Sequence, residues 1–135
     1  LAILELADKI LAVASGVFGL RDRFKSAKKE RREAISAYFL KLSETLSRAD
    51  TSLENGVYPH GECQAMLTYS QMFSSTIEGV IDPKLVHEWQ DALISSHRLE
   101  NLYQAGQKDR EEVIAKLRGS AGMFEAVAYS LRAAA

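Results

Sequence analysis

Residues 35–53, ISAYFLKLSETLSRADTSL, place Ile35, Phe39, Leu42, Leu46, Ala49 and Leu53 at successive spacings of four, three, four, three and four. Apolar side chains at every third or fourth position form a single stripe along a helix. A stripe about five turns long needs another apolar surface to cover it, so the fold has to be built from packed helices. Carried backwards, the same register meets Arg32, Lys28, Lys25 and Arg21. A seam that turns from apolar to cationic cannot be buried at both ends, because unpaired charge is costly to desolvate. The stretch predicts one long helix, from about Arg21 to Leu53, with one polarised end. Asn55-Gly56 stops it, a pair suited to the left-handed turn after a helix.

Working outward, four more helical segments emerge. Residues 2–19 carry Ile3, Leu6, Ile10, Val13 and Val17 on one side, with Leu4, Leu11 and Phe18 beside them. A third helix runs from near Pro59 to about Gly79, its inner face being Cys63, Met66, Leu67, Ser70, Phe73, Ile77 and Val80. Asp82-Pro83 opens a fourth, an N-cap followed by proline in the first helical position. Its seam is Leu85, Trp89, Ala92, Ser96, Leu99 and Tyr103, and Gly106 ends it. The fifth starts near Asp109, and Val113, Leu117, Ala121, Phe124, Ala128 and Leu131 form its core face.

Short connections make consecutive helices antiparallel neighbours. The expected fold is all-α: one domain over residues 1–135, an antiparallel up-down four-helix bundle at about residues 21–133, and an additional apolar N-terminal helix at 1–20. At 1.5 Å per residue the second helix would reach roughly 50 Å against about 30 to 40 Å for the others. Its first turns should then overhang the bundle, and those turns hold the cationic seam.

Composition is that of a globular chain: 47% hydrophobic and 26% charged residues, with a net charge of −1 over 135 residues. This excludes a disordered chain and an overall electrostatic nucleic-acid binder. Residues 21–33 nonetheless hold seven bases and three acids, a local net of +4. Such polarity suits an anionic partner or self-association. Cys63 is the only cysteine, so no internal disulfide forms and a cytoplasmic location is expected. The chain starts at Leu1 without an initiator Met, which predicts a segment of something larger.

Motifs with chemistry are few. His60 and Cys63 have a spacing two zinc ligands can use, but a structural zinc needs four ligands and there is one cysteine. Pro59, His60 and Gly61 read better as a turn and helix start, with Cys63 a small core residue. Arg118-Gly119-Ser120-Ala121-Gly122 lacks the first glycine of a nucleophile elbow, and no strand leads into it. Gly119 and Gly122 instead predict close approach of a neighbour, Trp89 or Tyr69, over the missing side chains. Glu111 and Glu112 are adjacent and point apart, so they form no acid–base dyad. No catalytic residue, metal ligand or cofactor is expected.

Tyr58-Pro59-His60-Gly61-x-Cys63 with the later Ser120-Ala121-Gly122-x-Phe124 resembles helical segments of large bacterial multidomain proteins of signalling or conflict-system type. The helical layout is similar to HeLo-like and adaptor-type N-terminal bundles. That resemblance implies oligomerisation, adaptor work or, in some cases, membrane permeabilisation through the first helix, and it transfers no catalytic residue.

The expected function is a non-catalytic protein–protein interaction or oligomerisation module of a larger signalling or immunity-type protein, with a homo-oligomer as the expected form. Its contact residues would be Leu4, Leu11 and Phe18 of the first helix and Arg21, Lys25, Lys28 and Arg32 of the basic stretch. The alternative is a membrane-targeting or membrane-perturbing bundle, in which the first helix enters the interface and the bases hold an anionic membrane surface. The uncharged run over residues 10–20 is eleven residues long, too short to span a bilayer. Nucleic acid is not the expected partner, because only Phe24 interrupts the bases with an aromatic ring.

Overall fold

The computed structural model describes residues 3–95 and 107–134. Among the described residues seven helices follow one another: α1 (Ile3–Gly19), α2 (Arg21–Lys25), α3 (Lys29–Glu54), α4 (His60–Gln71), α5 (Phe73–Ile77), α6 (Pro83–Ile94) and α7 (Gln107–Ala133). The chain is all-helical among the described residues, apart from an isolated bridge between Glu78 and Ile81.

The deciding stripe behaves as its spacing predicts. Ile35, Phe39, Leu42, Leu46, Ala49 and Leu53 are all buried in α3. The helix stops where Asn55-Gly56 requires. Gly56 takes φ 72°, its N–H donates to Leu53 O, and Val57 N–H donates to Ser52 O. That pair of bonds is a Schellman cap, which satisfies carbonyls the helix leaves open. At the other boundary Asp82 accepts from Lys84 N at 2.9 Å and Pro83 takes the first helical position.

The single long second helix does not exist. It breaks at residues 26–28, where Ser26 Oγ turns back to Arg23 O at 2.6 Å and Lys28 caps α3 with ψ 149°. The reason is Phe24. Its ring is fully buried and meets Phe39 edge-on at 5.5 Å. A straight helix would have carried that ring into solvent, forfeiting about 2 to 3 kcal/mol of burial. Instead of an overhang, α2 folds across the end of the bundle and packs on α7, α1 and α3.

The third segment is likewise two helices, α4 and α5, with a turn at Met72, yet its apolar face runs through the break from Cys63 and Met66 to Phe73 and Ile77. In α6 the deeply buried residues are Val86 and Leu93, while Leu85, Trp89 and Ala92 are half-buried. Within α6 the deepest positions therefore lie one residue beyond Leu85 and Ala92 of the predicted seam, because α6 is gripped on two sides, by α4 and by α1. Ser96, Leu99 and Tyr103 lie outside the described residues.

Contacts close the helices into a ring: α1 on α7, α7 on α3, α3 on α4, α4 and α5 on α6, and α6 back on α1. Cross-links fix the directions. Ser36 Oγ donates to Ala128 O and Ser43 Oγ to Ala121 O, so α3 and α7 are antiparallel. Asp8 pairs with Lys116 and Ser15 bonds Met123, so α1 and α7 run the same way. The N-terminal helix is thus a stave of the ring, with Leu6, Ile10, Val13 and Val17 buried in the common core, and no addition to a closed four-helix bundle.

Candidate interaction surfaces

The basic stretch is the first surface the sequence nominates, and the structure gives much of it an internal task. The helices α1, α5 and α7 all end at the pole that α2 and the start of α3 cover. Each leaves open carbonyls and the negative end of a helix dipole there. Arg21 donates to Phe18 O at 2.9 Å at the end of α1 and lies 4.4 Å over the Phe18 ring. Arg31 donates to Thr76 O at 3.1 Å and Glu78 O at 2.5 Å at the end of α5. Arg32 donates to Ala134 O and Ala27 O, each at 3.2 Å, closing α7. Three helix ends converging on one pole explain why the bases cluster where they do. Lys25 pairs with Asp22 at 3.5 Å, and Arg23, Lys28 and Lys29 remain exposed.

The apolar members of the expected surface face inward. Leu4 and Phe18 pack against the core, and Leu11 is half-buried beside Gly119. The structure therefore does not bring Leu4, Leu11 and Phe18 together with Arg21, Lys25, Lys28 and Arg32 as one open face.

A second surface was not anticipated. The outer face of α7 carries Ala115, Gly119, Gly122, Ala126, Tyr129 and Ala133, spaced four, three, four, three and four, and all are exposed. Tyr129 is 52% exposed and is stacked by Arg132 at 5.6 Å. Along one flank, at intervals of seven, stand Glu111, Arg118, Glu125 and Arg132, also exposed. The opposite flank is held by α1, through Lys116 to Asp8 at 2.6 Å and Met123 to Ser15 at 3.4 Å. The two glycines are not filled from inside. A Cβ at Gly122 would meet nothing within 4 Å, and one at Gly119 only Leu11 at an ordinary 3.7 Å. Each costs the helix about 1 kcal/mol relative to alanine. The large ring expected above them, Trp89, lies against Gly16 instead. The face was legible as a heptad, but the notion of an inward neighbour obscured it.

A third feature is a shallow apolar groove of about 450 Å³ between α3 and the α4–α5 turn, lined by Ala34, Ala37, Tyr38, Tyr69 and Met72. Tyr38 forms its floor, and its hydroxyl donates to Tyr69 O at 2.5 Å. Burial raises the Tyr38 phenol far above its ordinary range.

Cys63 is buried in α4, and His60 stacks on Tyr58 with ring centres 6.0 Å apart. Among the described residues no group of His, Cys, Asp and Glu side chains is arranged to hold a metal. Ser120 is buried and donates to Lys116 O at 2.9 Å within its own helix. A second titratable group besides Tyr38 is pushed well out of its ordinary range by burial. Asp50 is 1% exposed on the α3 face toward α7, and neither carboxyl oxygen has a hydrogen-bond partner among the described residues. Burial pushes it up to about 7, against the pull of the Arg118 guanidinium.

No helix among the described residues is long and apolar enough to cross a membrane. No protein-family model, no curated protein and no solved structure matches the chain.

Proposed function

We propose that the chain is a non-catalytic interaction module of a larger protein, and that its contact surface is the outer face of α7. One observation carries this reading. A heptad-spaced row that includes a half-exposed tyrosine runs along a helix with two outward glycines, and no residue of the fold comes within 4 Å of a Cβ on Gly122. Small side chains on a helix face let another helix approach to about 8 Å, the short end of helix-packing distances. Outward heptads of this kind recognise helices rather than small molecules.

This moves the contact away from the first helix, whose apolar groups pack on the core, and from the basic stretch, of which Arg21, Arg31 and Arg32 are engaged within the bundle. A membrane reading retains Arg23, Lys28 and Lys29 on the exposed pole, but Leu4, Leu11 and Phe18 of the first helix are half-buried rather than open to enter an interface.

Light scattering over a concentration series and pelleting with anionic vesicles separate the two. The module reading expects mass that rises with concentration, loss of that rise in Gly122→Leu, and no pelleting. Constant monomer mass together with salt-sensitive pelleting would replace it with the membrane reading.

A further inference from the structure

The geometry points to a specific occupant for this face: a second copy of the chain, docked through α7 against α7 in antiparallel register. The inference rests on the interaction-module reading and adds the partner and its alignment.

The charges on the open flank choose the arrangement. Glu111, Arg118, Glu125 and Arg132 alternate in sign at spacings of seven. Under two-fold symmetry with the helices antiparallel, this flank on one copy lies against the same flank on its partner. Set the seam so that Gly119 meets the partner's Gly122 and Ala115 meets the partner's Ala126. The flank then brings Glu111 to the partner's Arg132 and Arg118 to the partner's Glu125. Each pair occurs twice by symmetry, which gives four opposite-charge contacts and no like-charge contact along the flank. The seam and the flank select the same register independently, since the glycines and alanines fix one alignment and the alternating charges fix it again.

A parallel pairing fails on both counts. It sets the open flank against the row of Lys116, Met123 and Ser130, whose first two members already serve α1. It also places Gly119 against Gly119 and leaves Tyr129 facing Tyr129. In the antiparallel register the small residues sit at the centre, where the backbones are nearest, and a tyrosine closes each end. A single helix pair is at the small end of specific interfaces, so the dimer is concentration-dependent and salt-sensitive.

Sedimentation equilibrium on the 135-residue chain tests this, with helix content and thermal midpoint as controls of folding. Four variants are needed: Gly122→Leu, Arg118→Glu, Glu125→Arg, and the double reversal R118E/E125R. Gly122 is exposed and a Cβ there meets nothing within 4 Å, so its leucine variant should fold, which the two controls check. The unmodified chain should dimerise and Gly122→Leu should be monomeric. Each single reversal turns two attractive contacts into repulsive ones and should weaken association about tenfold. The double reversal restores every pair in this register and should return the affinity to near that of the unmodified chain. Glu125→Arg is the decisive single variant, because Arg118 is also paired with Glu54 in its own chain.

Association abolished by Gly122→Leu but indifferent to the charge reversals would overturn this register and leave the α7 surface standing. A monomer at every concentration would overturn the self-pairing and the surface reading together.

Discussion

The indole of Trp89 occupies the space in which a side chain on residue 16 would have to grow. A Cβ built on Gly16 would lie 3.0 Å from Cη2 of that ring and nearer still to Cζ2. This contact seats α6 on α1 and closes the helix ring. Gly16→Ala should therefore destabilise the fold by about 1 to 3 kcal/mol, the usual cost of overpacking, although alanine is the better helix former. In a Trp89→Leu background the same change should turn neutral or favourable. Urea unfolding of the four-member cycle measures the coupling, and additivity would refute the contact.

A second relationship is periodic. Ser36, Ser43 and Asp50 are buried on α3 at intervals of seven, and the first two donate to Ala128 O and Ala121 O, seven apart on α7. The same register places Asp50 at the level of Ile114. A protonated carboxyl there can donate as the two hydroxyls do, whereas a carboxylate has only acceptors. The folded state holds the proton up to about pH 7, while an aspartate in the unfolded chain loses it near 3.8, so between those values folding takes up a proton. Stability from this group is complete below the lower value and is lost as pH rises to the upper one. Moving from pH 8 to pH 5 should stabilise the chain by on the order of 2 to 3 kcal/mol. Asp50→Asn, whose amide can donate at any pH, should flatten that dependence and be the more stable form at pH 8. Denaturation midpoints across the range decide it.

These two cases mark what the sequence exposes and what it hides. Apolar spacing identified the buried stripes of α3 and α7 and, from Leu6 to Val17, that of α1, and Asn55-Gly56 and Asp82-Pro83 marked helix boundaries, because periodicity and caps are local properties. The break before α3 carries no proline or glycine. It exists because Phe24 finds Phe39 in the core and because three helix ends need cations, and both are tertiary facts. The polar heptad of Ser36, Ser43 and Asp50 was hidden by the apolar one beside it. On α7 the residues of the outer face were in plain view, but only the open space around Gly122 turned them from a packing feature into a surface.

The cationic pole gives a third prediction. Arg31 bonds the carbonyls of Thr76 and Glu78, where α5 ends. A charged donor to a partly buried carbonyl contributes about 1.5 to 3 kcal/mol, more than an exposed ion pair. Arg31→Met keeps the aliphatic stem and removes both bonds. It should lower stability by about 2 kcal/mol and raise amide exchange in α5 before it does so in α3 or α7. Unchanged exchange in α5 would mean that the guanidinium is spent on solvent.

Gly122 supplies the last test, because it separates what the fold wants from what the surface wants. Inside one chain an alanine there meets nothing and removes the entropic cost of glycine in a helix, so Gly122→Ala should stabilise the dilute monomer by about 0.5 to 1 kcal/mol. In an antiparallel α7 pair the added methyl sits at the closest approach of two backbones and pushes them apart. The gain in thermal midpoint should then shrink as concentration rises and the unmodified chain draws its own stability from association. A gain equal at all concentrations would show that glycine at this position serves neither the fold nor its contact.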